Sequence, residues 1–402
     1  IDKYRKLEFM NKDLSFKKKS LYVILFLYGL MIPQVSFLSV TLYGLYKLFF
    51  NYTKILKNYS LQIVVLVFFT VSYYGIAGYH EIGPNQINKS LLLFVMVYII
   101  GLSINLNNYK ITHILLSLIF GLSLFVFASV YFTYFTENIT RALADRDVIN
   151  IWSGEILNSP IFGAYALLAL SLLPTVFLSI LKVKMKLFIM TLILMSIMAL
   201  VLFQSRGPFI SSVIIYMFSF FYLKYIFQIN LFQIKSLIFI FLFFTIFIYY
   251  AEDGLFFVEA IDAYLELIEN KGMDSGRYYA WMMGLQSLFS YPLGGREYDI
   301  GGLSHVHNMY LDIHYTSGLL PLSFLFMFMA SHLKSFLVLI RKGEVKDKLF
   351  LVCFGLGLLL PTFFEPIMEA SITFFSFLVF YLALLKNYSL NINRNKGGVN
   401  KI

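Results

Sequence analysis

Twelve apolar stretches constrain this chain more than any other feature. They lie at about 21–33, 35–50, 61–79, 90–104, 113–136, 161–181, 187–204, 208–223, 236–250, 318–340, 349–364 and 367–385. A helix crosses the hydrocarbon core with about 20 apolar residues. Inside that core the backbone must satisfy its own hydrogen bonds, which leaves helices or a closed barrel. Composition agrees, with 59% hydrophobic and 13% charged residues and a mean hydropathy of +0.76, where a soluble domain carries about a quarter charged residues. A water-soluble enzyme of several domains, a disordered chain and a nucleic-acid-binding domain are excluded. Cys353 stands alone in an apolar run, so neither an internal disulfide nor a cysteine metal site is available. The expected fold is all-α: a polytopic integral membrane protein of about twelve transmembrane helices. The first two stretches meet at Pro33-Gln34 and can also be read as one long kinked segment.

Charge orients these spans. The N-terminal tail, alternate loops and C-terminal tail hold 24 of the 32 basic residues but only five of the 22 acids, leaving that face +19 and the remainder −9. The positive-inside rule makes the basic face cytoplasmic. Anionic lipid would attract the same tails. The expected organisation is a cytoplasmic basic tail (1–20), nine helices (21–250), a long outer loop (251–317), three helices (318–385) and a second basic tail (386–402). The opening apolar run shows no A-x-A-like cleavage site and reads as an uncleaved first span.

Polar residues collect in two outer loops. One, about 137–160, holds Arg141, Asp145, Arg146, Asp147, Trp152 and Glu155. The other is too long to be a mere connector. In it, Phe257, Ile261, Tyr264 and Ile268 recur at helical spacing opposite Glu259, Asp262, Glu266 and Glu269, which predicts an amphipathic surface helix. Its acidic side is a solvated face or a weak cation site. Asp274-Ser275-Gly276-Arg277 signals the start of a helix running through Trp281 to about Ser290, where Tyr291-Pro292 stops it. A turn, Gly294-Gly295-Arg296, follows, then Gly301-Gly302 and Ser304-His305-Val306-His307-Asn308. A helical segment to Ser317 would put His307, Tyr310 or Leu311, and His314 on one face. Arg206, in Ser205-Arg206-Gly207-Pro208 between two spans, is either a functional arginine or a snorkelling interface anchor. Lys334, deep in the tenth span, reads as a snorkelling lysine.

Arginines with no carboxylate immediately beside them in sequence suit an anion. A guanidinium grips phosphate oxygens bidentately, and Arg277 at a helix start adds free N–H groups. Lipid diphosphates are the obvious anions at an outer membrane interface. No nucleotide is expected, since the chain has no phosphate-binding loop of the G-x-x-x-x-G-K type. A histidine within reach could take a proton from an attacking hydroxyl. His305-x-His307 also raises zinc, though without a cysteine or an H-E-x-x-H. A transporter is a further alternative, but transporters tend to place polar groups near the midplane, and here the mid-span positions are almost free of charge.

Ser205-Arg206-Gly207, Gly276-Arg277-x-x-x-Trp281, Pro292-Leu293-Gly294, His307-Asn308-x-Tyr310-Leu311 and Gly318-Leu319-Leu320 occur in order over about 200–322. In this the chain resembles the bacterial O-antigen polymerase and O-antigen ligase superfamily. The resemblance implies glycosyl transfer on the periplasmic face of the inner membrane, without cofactor or metal, and without nucleic acid. The donor would be a glycan on undecaprenyl diphosphate. Arg206 and Arg277 would hold the diphosphate and His307 would be catalytic, with Ser205, Trp281, Asn308, Tyr310, His305 and His314 in supporting positions. The family's glycine pattern after the proline is longer than Gly294-Gly295, so Arg296 is placed to share the phosphate role. A polymerase would pass the growing glycan to a new lipid-linked repeat unit, working beside flippase and chain-length regulator proteins. A ligase would pass it to lipid A-core.

Overall fold

The computed structural model describes residues 19–82, 86–136, 147–177, 181–202, 206–227 and 276–397. It is mostly helical. Among the described residues five helices are long and apolar enough to cross a membrane: Tyr59–Tyr79, Ile111–Thr133, Val183–Leu200, Leu319–Lys342 and Ile372–Arg394. Lys19–Gly29, Ile87–Ser103 and Pro160–Val176 are apolar but shorter. The stretch at 236–250, the amphipathic helix over 257–268 and most of the N-terminal basic tail lie outside the described residues.

The chain divides into two compact units. One draws on residues up to Phe125, on Leu320–Leu351 and from Thr373 onward; the other holds Val126–Leu319 and Val352–Ile372.

In the first unit, α1 (Lys19–Gly29) and α2 (Pro33–Tyr79) are separate helices. Met31 turns between them at φ 55°, and Pro33, which has no N–H to leave unsatisfied, opens α2. The join at Pro33-Gln34 is therefore a true break. The unexpected continuity comes next. The stretches at 35–50 and 61–79 are two arms of α2 that meet at a kink, where Asn51 leaves helical geometry (φ −131°, ψ 16°). Asn51 Nδ2 donates to the Lys47 carbonyl at 3.2 Å, satisfying one acceptor that the kink frees. On the first arm Val35, Leu38, Leu42, Leu45 and Phe49 are exposed at helical spacing, while Gly44 packs on Met96 of α3 (Ile87–Ser103). An apolar stripe turned outward is what a lipid-facing surface requires. α4 (Ile111–Thr136) crosses α1 at two glycines: a Cβ on Gly29 would sit 2.1 Å from the Leu118 carbonyl oxygen, and one on Gly121 2.1 Å from that of Phe26. Small residues let the backbones touch in this way.

The second unit begins with a departure from an all-helical chain. β1 (Asp147–Ile149) and β2 (Ile156–Asn158) form a short antiparallel hairpin with Val148 opposite Leu157. Trp152 and Glu155 lie on its exposed turn. The expected span at 161–181 is only α5 (Ser159–Leu170), continued as a 3-10 turn, Leu173–Phe177, around Pro174. α6 (Val183–Leu202) and α7 (Arg206–Phe227) follow and pack on α5. Then come α8 (Arg277–Gln286) and α9 (Met309–Ser317). α10 (Leu319–Lys342), which from Leu320 onward belongs to the first unit, buries Leu322, Leu325, Phe328, His332, Ser335 and Leu339 along one stripe, and Lys334 lies on its exposed side.

The last two expected spans have different ends. α11 (Val345–Leu359) stops at Pro361 in a 3-10 turn, Leu360–Phe363. α12 (Ile367–Ala370) is a single turn, and α13 (Ile372–Gly397) begins only after it. Residues 360–371 thus form an irregular segment between two apolar helices. It carries Glu365 and Glu369.

Candidate functional site

The stretch 276–318 builds its own small core. Ala280, Tyr298, Ile300, Val306, Leu311 and Tyr315 are buried together, with Trp281, Met283, Tyr291 and Leu303 packed around them. α8 starts at Arg277. Gly276 (φ 71°) occupies its N-cap position, whereas Asp274 and Ser275 lie outside the described residues. The helix ends at Gln286, four residues before the expected stop.

Across the glycine turn, Gly295 and Arg296 donate backbone N–H groups to the Thr316 and Tyr315 carbonyls at 3.2 and 2.8 Å. Leu319 N–H bonds the Pro292 carbonyl at 2.8 Å. The turn is thereby strapped to the C-terminal end of α9. Gly318 closes this contact at φ 78°, and a Cβ there would lie 2.0 Å from the Pro292 carbonyl oxygen.

The two histidines follow an extended alternation. Val306 points into the core, so His305 and His307 on either side of it emerge together, ring centroids 6.4 Å apart. His307 has φ 58°, a left-handed backbone that non-glycine residues seldom adopt. The helix expected to carry it begins one residue later: Asn308 is the N-cap, its side chain accepting from the Tyr310 and Leu311 N–H groups. His307 and His314 therefore share no helical face. His314 is fully buried, with Nε2 donating to the Leu288 carbonyl at 2.9 Å and Nδ1 3.5 Å from the Tyr298 hydroxyl. Burial lowers its pKa against the opposing carbonyls of Leu288 and Tyr291. It is a buried strut.

The partners of the motif residues come from the segment that reads in sequence as the ends of two spans. The Tyr310 hydroxyl accepts from Thr362 at 3.2 Å, Asn308 Nδ2 donates to the Phe363 carbonyl at 3.2 Å, and Arg277 Nη1 donates to the Phe364 carbonyl at 3.1 Å. Trp281, one turn beyond Arg277, sets its ring 6.5 Å from that of Phe364. Glu365 is 2% exposed, with Oε1 3.6 Å from Arg277 and Oε2 3.8 Å from His307 Nδ1. One turn on, Glu369 binds Arg296 Nη2 at 2.5 Å and His305 Nδ1 at 2.9 Å through Oε2, and accepts from the Thr316 hydroxyl through Oε1.

These pairs differentiate the two histidines. The hydrogen bond to Glu369 raises the His305 pKa, outweighing burial. Burial pushes the Glu369 carboxyl up, but the bonds from His305 and Thr316 and the charge of Arg296 bring it below its ordinary value. His305 is committed to an ion pair. His307 faces a carboxylate at a distance too long for a hydrogen bond. Its Nδ1, like Glu365 Oε1, Arg296 Nε and Trp281 Nε1, is buried without a hydrogen-bond partner among the described residues.

Of the remaining sequence candidates, Arg206 opens α7, and its side chain and Ser205 lie outside the described residues. A Cβ on the next residue, Gly207, would be 3.1 Å from Glu365 Oε1, which brings the start of α7 to the same carboxylate. Arg296, like His307, has a positive φ (57°), and its guanidinium lies 5.8 Å from the Tyr315 ring centre. Arg277 and Arg296 thus both face distant acids, which for Arg277 is contrary to what its sequence neighbours imply. Glu365, Glu369, Asp312 and Thr316 escape the motif reading. A signal was present: Glu369 falls inside an apparently spanning stretch and Glu365 in the two-residue gap before it, and acids at membrane depth are expensive and functional by default. No family model matches this chain, and no curated protein matches it.

Proposed function

We propose that this chain is a surface-polysaccharide (O-antigen) polymerase that moves a growing glycan from undecaprenyl diphosphate to a sugar hydroxyl of a new lipid-linked repeat unit. It would be a multi-pass protein of the bacterial inner membrane, with both termini cytoplasmic and the site on the periplasmic face. The observation that carries this reading is a buried carboxylate, Glu365, that faces both His307 and Arg277.

The chemistry assigns one role to each group. The acceptor oxygen attacks the anomeric carbon as the carbon–oxygen bond to the diphosphate breaks, and the lipid diphosphate leaves with the electron pair. The acceptor proton goes to His307 Nε2, because Nδ1 is the nitrogen turned toward Glu365. A carboxylate behind an imidazole fixes its tautomer and stabilises the imidazolium that forms. Such bonds are often long before substrate binds and tighten afterwards. Arg277 and Arg206 offset charge on the departing diphosphate. Arg296, held by Glu369, supports the turn and reaches phosphate only by releasing that partner.

Gel analysis of surface polysaccharide from a deletion strain tests the reading. Core carrying a single repeat is the expected result. Bare core with accumulating lipid-linked polymer would make the protein the ligase, and unprocessed single repeats trapped on the cytoplasmic face would make it a transporter.

A further inference from the structure

Asp312 belongs to no motif above and has no role in the proposed transfer, yet it is a 1% exposed aspartate on the first turn of α9. Its hydrogen bonds come from backbone. Oδ1 accepts from the Val306 N–H at 2.6 Å and Oδ2 from the Asn308 N–H at 3.0 Å. The two amides flank His307. The tie is reciprocal: Asn308 Oδ1 caps α9 at the Tyr310 and Leu311 N–H groups (3.1 and 3.3 Å), while the Asp312 N–H bonds the Asn308 carbonyl at 2.8 Å. An N-cap needs only the first of these contacts. The second acceptor, reaching past the cap to Val306, does nothing for the helix. It brackets the short Val306–His307 span, in which His307 has φ 58°.

We infer that Asp312 is the positioning residue for His307: its carboxyl holds the amide N–H groups of the residues before and after the histidine, fixing the left-handed turn that aims the imidazole at Glu365. The inference rests on the polymerase reading for His307's task, but the clamp itself is a matter of geometry. Val306 buried on one side and Asn308 bonded to the Phe363 carbonyl on the other leave His307 the apex of a loop with both feet tied. A misplacement of about 1 Å at a reacting group can cost on the order of 10²-fold in rate.

Two measurements on the purified full-length protein test this. Without substrate, diethyl pyrocarbonate labelling of His307, read by mass spectrometry, should be several-fold faster in Asp312→Ala than in the wild type. Asp312→Asn should fall between them, since one carbonyl oxygen can serve one of the two amides, and buried His314 should stay protected throughout. With lipid-linked repeat units, Asp312→Ala should lower kcat about 10²-fold and leave KM unchanged. In a His307→Ala background the same change should remove nothing further, because residues acting as a unit are not additive. Unchanged labelling of His307, or an extra loss on top of His307→Ala, would overturn the clamp. If Asp312→Ala does not fold, Asp312→Asn carries both measurements. If the wild type makes no polymer, the proposed reaction fails while the labelling still decides the clamp.

Discussion

At the scale of single residues, three side chains separate a working site from a scaffold. Removing a general base costs about 10²–10⁴-fold, so His307→Ala should leave a folded, nearly inactive protein in an assay of polymer formation. His305→Ala should cost less, because that imidazole is occupied by Glu369. Arg277→Lys should recover little of what Arg277→Ala loses: the arginine donates to the Phe364 carbonyl and faces Glu365 at once, and a point charge cannot reproduce the fork. The acids around His305 also predict how the loop responds to pH. His305 is raised from 6.5, so its contribution is full below that value and fades as pH rises through its folded pKa. Glu369 is lowered from 4.5, so its contribution is present above that value and lost on acidification. Burial and the charge of Glu369 push Asp312 from 3.8 up to about 7. The folded loop therefore binds an extra proton in that window and loses stability as pH rises through it, although a neutral carboxyl still offers two acceptor oxygens. Protection factors for hydrogen exchange across 305–317, corrected for the intrinsic pH dependence of exchange, should be larger near pH 5.5 than at pH 8.5, and Asp312→Asn should flatten the difference.

At the scale of elements, the contact between the glycine turn and the end of α9 is the most sensitive point. Gly318→Ala would put a methyl group against the Pro292 carbonyl in a conformation costing a non-glycine residue about 1–3 kcal/mol. Thermal unfolding in detergent should shift down by several degrees, with α9 and the histidine loop affected first. Elements of this kind were largely legible in the sequence. Pro33 acts as a break, Arg277 starts a helix, and Asn308 sits where a capping residue belongs, whereas the helix expected to run to Tyr291-Pro292 ends already at Gln286. What could not be read was long-range pairing. Arg277 stands beside no acid in sequence and Arg296 beside Glu297, yet the carboxylates they meet come from 88 and 73 residues downstream, where two apolar stretches adjoin. Hydropathy averages over a window, so two glutamates among phenylalanines and isoleucines vanish into it. Periodicity likewise extends a helix back to His307, where a left-handed residue breaks the register.

At the scale of the whole molecule, topology is the assumption on which the proposed location depends. The +19 and −9 division of charge predicts alkaline phosphatase activity for a reporter fused at Gly272 and none for one at Gly343; reversed activities would remove the site from the outer face. The site's far-flung composition has a consequence in time. Arg277, Arg296, His305 and His307 are all synthesised before α10 and α11, whereas Glu365 and Glu369 follow them. At about 5–20 residues per second, roughly 5–20 s separate the first arginine from the last acid. During that interval the guanidinium groups lack the two carboxylates they meet in the folded protein. A nascent chain stopped after Leu359 would display every residue of the motifs and still have nothing to set them against. Translation, in effect, delivers the site's acids last, and the protein becomes competent only as its final long helix is being made.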